Sequence, residues 1–252
     1  MNKLENKIIL VTGGSTGIGR ASCFEFCKAG ATVIFVGRRV EEGKKTETDL
    51  LAQGYRAVFK AVDISKADQV EALIAGIVAE YGRLDGAFNC GGVDGVKATI
   101  AETTEEDWDY IVGINLKGSF LLLKYEIRQM LKQGGGSIVN MSSVCAIVAR
   151  PGRVAYNASR HGVDALTKTA ALEYAAKGIR INAVAPGSIR TDIFHRSTGG
   201  DPAREEYYAK GHPIGRIGEP EEIATAALWL LTDAPEFMAG QTVVIDGGFT
   251  IQ

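Results

Sequence analysis

Ile8-Ile9-Leu10-Val11-Thr12-Gly13-Gly14-Ser15-Thr16-Gly17-Ile18-Gly19 opens the first structural unit of this 252-residue chain. The apolar run Ile8–Val11 has the length of a strand buried on both faces, and residues 17–29 follow at helical period. Between them, glycines let the backbone turn sharply and approach an anion, while the helix N-terminus presents free N–H groups and a partial positive charge. A glycine-rich turn by itself is weak evidence. Placed between a first strand and a first helix, it predicts a dinucleotide site rather than a structural turn.

Outward from this unit the pattern repeats. Short apolar runs recur at Thr32–Val36, Ala57–Val62, Leu84–Phe88, Ser137–Met141, Ile179–Val184 and Thr242–Ile245. Helical stretches alternate with them near 17–29, 39–53, 66–81, 104–132, 153–177 and 219–232, some opened by start signals such as Ser65 before Lys66 and Thr103-Thr104 before Glu105-Glu106. Such alternation predicts an α/β fold: one Rossmann-type domain over 1–252, a doubly wound parallel sheet of about seven strands with helices on both faces. The segment 187–218, rich in Gly, Pro and charge with a short helical pattern at Ala203–Lys210, reads as a substrate lid.

Bulk properties narrow the function. Lys+Arg number 28 against 30 Asp+Glu, for a net charge of -2, which leaves no basic excess for nucleic acid and no polybasic handle for anionic membranes. Residues 1–10 lack the long apolar stretch of a signal peptide or membrane span, so the expected location is cytoplasmic. Cys23, Cys27, Cys90 and Cys145 show no metal-ligand spacing and read as core thiols in a reducing compartment; with only His161, His195 and His212 besides, no metal site is expected.

The TGxxxGxG spacing at Thr12–Gly19 resembles the short-chain dehydrogenase/reductase family, and the resemblance runs through nearly the whole chain. Asp63-Ile64 is similar to the family's adenine-contacting pair, Asn89 begins a variant of its NNAG segment, and Asn115 lies in an INLKG-type motif. Ser142-Ser143 ends the fifth apolar run, Tyr156 follows Ser143 by thirteen positions, Pro186-Gly187 with Thr191 resembles the segment that holds the nicotinamide carboxamide, and Asp246-Gly247-Gly248 matches a closing motif. The resemblance implies a nicotinamide cofactor held by Gly13, Ser15, Thr16, Gly17, Ile18, Gly19, Arg38, Arg39, Asp63, Ile64, Asn89, Gly91, Tyr156, Arg160, Pro186, Gly187, Ile189 and Thr191. It implies catalysis by Asn115, Ser143, Tyr156 and Arg160.

Cofactor choice turns on the end of the second strand. A carboxylate there would bind an unphosphorylated ribose and repel a 2′-phosphate. This chain has Gly37 followed by Arg38 and Arg39, planar forks suited to a phosphate, so NADP(H) is expected over NAD(H). Thr16 stands where many NADP-preferring relatives carry a basic residue.

Each catalytic position has a chemical task. Ser143 would hydrogen-bond the substrate oxygen, and Tyr156 would exchange a proton with it. A free phenol ionises near pKa ~10, so it needs neighbouring positive charge to act as a base near neutrality. By resemblance, Asn115 holds a water through its backbone. The family's Lys, four residues after the Tyr, is Arg160 here; at i, i+4 it stays on the helix face of Tyr156 but does not release a proton. Cys90-Gly91-Gly92 replaces the usual Asn-Ala-Gly.

The expected activity is ketone/secondary-alcohol interconversion, with a catalytically weak or inactive nucleotide-binding regulatory or scaffold relative as the alternative that Arg160 raises. Pocket candidates are Val93, Asp94, Cys145, Ile147, Arg150, Ile193, Phe194 and Tyr207, mostly apolar, which suits a hydrophobic carbonyl or alcohol. Arg150 and Arg153 read more readily as solvated surface residues than as anion binders. The resemblance also implies a homotetramer or homodimer built on the helices at 104–132 and 153–177.

Overall fold

A computed structural model describes residues 3–252, so the first two residues of the expected domain lie outside the described residues. Seven strands form one parallel sheet: β1 (Ile8–Thr12), β2 (Thr32–Gly37), β3 (Arg56–Ala61), β4 (Gly86–Asn89), β5 (Gly136–Met141), β6 (Ile179–Pro186) and β7 (Thr242–Ile245), in the order β3-β2-β1-β4-β5-β6-β7. The expected strand positions agree to within a few residues.

Strand periodicity explains the two-layered core. Along β1, Ile9 and Val11 join Phe26, Phe35, Phe88 and Leu230 on one face, while Ile8 and Leu10 join Leu73, Ile77, Leu122 and Ile138 on the other. The first layer is supplied by α1 (Gly17–Lys28), α2 (Val40–Ala52) and α9 (Pro220–Leu231); the second by α3 (Ala67–Tyr81), α5 (Gly118–Gln133) and α6 (Val154–Tyr174). Every residue of β1 is buried, which is why its sequence reads as a continuous apolar run rather than an alternating one.

Two regions depart from the sequence reading. The single helix expected at 104–132 is three pieces: α4 (Glu105–Val112), a π-helical turn at Gly113–Lys117 and α5. The wider turn is centred on Asn115, whose backbone carbonyl accepts the Ser119 hydroxyl at 2.6 Å. In the segment 187–218, α8 (Pro202–Lys210) matches the expected helical pattern, but a further helix, α7 (Asp192–Thr198), precedes it. Its signals are present in the chain: Thr191 caps the Phe194 N–H, and Gly199 closes the helix in the left-handed region at φ 68°.

The segment is tied down at its base by a bridge between Ile189 and Gly218. Buried His212 accepts the Ser188 N–H at Nε2 (3.1 Å), so its Nδ1 carries the proton and donates to the Tyr208 carbonyl at 2.7 Å.

Candidate active site

The sheet order reverses between β1 and β4, and loops leaving the carboxyl ends of these strands part to form a cleft. The cleft, of about 490 Å³, is walled by the glycine turn at one end and by the loops after β5 and β6, with α7, at the other.

The turn is shaped by backbone contact. Gly13 adopts φ +69°, and a Cβ there would stand 2.9 Å from the Gly91 Cα; a Cβ on Gly19 would stand 2.2 Å from the Gly13 carbonyl oxygen. The Thr12 hydroxyl accepts the Gly91 N–H at 2.9 Å and fixes the loop after β4 against the turn. No side chain caps the start of α1. Its first N–H groups therefore remain available to an anion, which is how this turn fits a dinucleotide pyrophosphate.

At the adenosine end, Gly37 terminates β2 and Arg38 and Arg39 line the cleft. Arg38 donates to the Tyr110 hydroxyl at 3.1 Å, and Arg39 donates to the Thr16 hydroxyl at 2.6 Å while lying 3.5 Å from both Glu42 and Asp192. Burial alone would raise the Asp63 carboxyl, but hydrogen bonds from Ser65 and the charges of Arg38 and Lys66 hold it below the usual carboxylate range. Ile64 lines the cleft after β3, and Pro186, Gly187, Ile189 and Thr191 line it at and after the end of β6.

Farther along, Ser143, Tyr156 and Arg160 line the cleft. Ser143 caps a short helical turn, accepting the Cys145 N–H at 3.1 Å, which leaves its own proton to donate into the cleft. Arg160 is buried; it donates to the Met141 carbonyl at 2.7 Å and lies 5.0 Å from the Tyr156 ring centre. Its Nε has no hydrogen-bond partner among the described residues. Such an orphaned buried donor suits a ribose hydroxyl of the nucleotide. Arg160 needs room that only glycine leaves: a Cβ on Gly92 would stand 2.6 Å from its guanidinium nitrogen. Burial pushes the neighbouring Cys90 thiol up to about 12, against the lowering effect of Arg160.

Two expected site residues do not line the cleft. The Asn115 side chain clamps the Val93 backbone, accepting its N–H and donating to its carbonyl, both at 2.8 Å. The Asn89 side chain is a correction: it points away from the cleft into a buried polar cluster, donating to Glu126 and to Asn140, each at 3.0 Å, and Cys90 takes its place on the wall. Asn140 donates in turn to Thr167 at 2.9 Å. Glu126 lies wholly inside, where burial pushes its carboxyl up to about 7 although the Asn89 hydrogen bond opposes the shift.

Other corrections concern the substrate end. Tyr207 is exposed and Tyr208, one position on, lines the cleft; Ile147 is also exposed and outside it. Arg150 and Arg153 are not surface residues in the ordinary sense, since both line the cleft and the Arg153 side chain is only 14% exposed. Arg196 and Ser197, which carry no distinguishing signal in the sequence, line it too.

Comparison with known proteins agrees with this geometry. A family model described as "Enoyl-(Acyl carrier protein) reductase" matches residues 13–250. The chain is 41% identical over 251 residues to a 2,5-dichloro-2,5-cyclohexadiene-1,4-diol dehydrogenase of Sphingobium indicum, covering 99% of each chain. It is 35% identical to a cyclohexanol dehydrogenase of Acinetobacter sp., over 99% of this chain and 97% of that one. Among solved structures, levodione reductase superposes with a TM-score of 0.94 at 33% identity, covering 98% of each chain. These relatives are oxidoreductases and lend no support to a regulatory or scaffold role. The glycine turn, the Ser143–Tyr156 pair and similarity along almost the full length converge on one assignment: the chain belongs to the short-chain dehydrogenase/reductase family.

Proposed function

We propose that the protein interconverts a ketone and a secondary alcohol, with NADP(H) preferred over NAD(H). The observation that carries this reading is that Ser143, Tyr156 and Arg160 line the same cleft as the phosphate-binding turn. When bound, the nicotinamide supplies or accepts the hydride. Ser143 donates to the substrate oxygen and stabilises the negative charge that develops on it. Tyr156 gives that oxygen a proton in reduction and takes one in oxidation. Arg153 and Arg160, with guanidinium carbons 5.8 and 5.0 Å from the Tyr156 ring centre, hold positive charge against its ring.

Arg160 acts as a fixed cation and ribose-binding donor, outside any proton relay. Asn115 acts as a positioning residue through its clamp on Val93. Arg38 and Arg39, beside Gly37 rather than a strand-end carboxylate, support selection of a 2′-phosphate. The segment 187–218 acts as the substrate lid, and the location is cytoplasmic. Exposed Trp108 on α4 and Phe120 on α5, with Leu172 on α6, support self-association into a homodimer or homotetramer.

The test is oxidation of NADPH and of NADH with a panel of cyclic ketones and diketones, by the wild type and Tyr156→Phe. The wild type turns over faster with NADPH, and the variant loses a factor of about 10²–10⁴ in kcat while binding NADPH nearly as before. Retained turnover in Tyr156→Phe removes that residue from the chemistry.

A further inference from the structure

The substrate end of the cleft carries more positive charge than the chemistry above uses. Arg150, Arg153, Arg160 and Arg196 all line the cleft, in a chain whose net charge is -2. Lys97 stands just behind, donating to the carbonyl and the hydroxyl of Ser197 at 3.1 and 3.2 Å. Against these cations stands Asp94, 3.5 Å from Arg153. The cleft's Asp192 is engaged by Arg39 at 3.5 Å.

Arg150 has no ion-pair partner among the described residues. Aromatic rings hold it instead: its guanidinium carbon lies 5.6 Å from the ring centre of Tyr208 and 4.5 Å from that of Phe249. Arg153 is fixed from several sides, by Asp94, by the Ser197 hydroxyl at 3.3 Å and by the face of Tyr156. Tyr208 reports the same field. Burial alone would raise its phenol, yet a hydrogen bond with Ser197 and the charges of Lys97, Arg153 and Arg150 lower it.

Guanidinium groups gathered around a partly desolvated space repel one another unless an anion completes them, and their planar forks match a carboxylate. A single Asp does not balance the set. Tyr156 catalysis does not account for it either, because Arg150 is stacked on Tyr208 and Phe249, away from the Tyr156 ring.

We propose that the substrate is an oxo acid, or the corresponding hydroxy acid, whose carboxylate sits on Arg153 and Arg150 a few bonds from the carbon held between Ser143 and Tyr156. This rests on the oxidoreductase reading and leaves its chemistry unchanged. In reduction the ketone carbon receives the hydride and its oxygen the Tyr156 proton; oxidation reverses both transfers, and the carboxylate remains intact.

The experiment compares acids with their methyl esters: acetoacetate, levulinate and an oxocyclohexanecarboxylate, each with its ester, under saturating NADPH at fixed ionic strength. Each acid exceeds its ester in kcat/KM by roughly tenfold or more, mainly through KM. Arg153→Gln draws the acid/ester ratio toward unity, and Asp94→Asn, which frees Arg153, raises it. Esters that turn over as well as their acids overturn the proposal while the oxidoreductase reading stands. Should no pair turn over, the oxidoreductase reading is judged by the cyclic ketone and diketone panel with NADPH and NADH, and calorimetry on the NADPH-loaded protein with cyclohexanecarboxylate and its methyl ester decides the anion site separately. Acid-selective binding that Arg153→Gln abolishes upholds it, and equal binding overturns it.

Discussion

The two ends of the cleft are built from different materials. The nucleotide end is largely backbone: glycines 13 and 19, the uncapped start of α1 and the loop at Gly91 meet at main-chain distances. The substrate end is side chain, with Arg150 and Arg153 from the loop after β5 gathered beside Tyr208 of α8. A backbone site recognises what every nicotinamide dinucleotide shares and tolerates little change. A side-chain site is where one family member can differ from another without altering the sheet.

The first way to break this comparison is Gly19→Ala. Its added carbon would press on the Gly13 carbonyl at 2.2 Å, where neither partner is the flexible end of a side chain. The expected cost is about 3 kcal/mol of stability, with cofactor affinity falling at least ~100-fold. Thermal melting and NADPH titration read both; wild-type affinity in this variant would show the turn to be more pliable than its contacts imply.

Away from the cleft lies the buried cluster of Asn89, Asn140 and Glu126, which ties β4 and β5 to α5. The folded-state pKa of Glu126 is raised from 4.5 to about 7, so the native protein holds a proton that the unfolded chain releases. Stability therefore falls as pH rises from about 4.5 through about 7, by up to ~3 kcal/mol, and then levels. Glu126→Gln keeps an acceptor for Asn89 and removes this slope, so it melts at a higher temperature than the wild type above the upper limit of that window. Parallel melting-versus-pH curves for the two proteins would exclude Glu126 as the source.

The smallest expected effect sharpens the nucleotide end itself. Arg38→Gln and Arg39→Gln each weaken NADPH binding by about tenfold and leave NADH binding near its starting value, read by fluorescence titration at constant ionic strength. The effect of Arg39 is the lesser of the two, because Glu42 and Asp192 already draw on its charge. Equal losses for both nucleotides would place these arginines on the adenine or the pyrophosphate rather than on a 2′-phosphate.

Legibility in the sequence follows the range of the interactions. The strand-turn-helix at Ile8–Lys28 is local: each residue's role depends on neighbours a few positions away, so the unit is readable from its residues alone. The segment 104–132 is readable as helix but not as one interrupted by a π-turn, because that break answers to the Asn115 clamp on Val93, twenty-two positions away. Asn89 misleads for the same reason. Its place after an apolar run suggests the cleft, while its orientation is set by a carboxylate on a helix thirty-seven positions later.

Arg150 and Arg153 read singly as solvated residues, since an isolated arginine usually is one. Their gathering with Ser197 and Tyr208 depends on how α7 and α8 close over the loop after β5, a matter of packing between distant segments. Sequence alone determined the doubly wound sheet and the glycine turn between its first strand and first helix, because periodicity and turn chemistry are local, while Ser143 and Tyr156 stood out only through the family resemblance. Only the tertiary structure decided the charge of the substrate end, because a cluster of like charges exists only where the fold brings separate segments together.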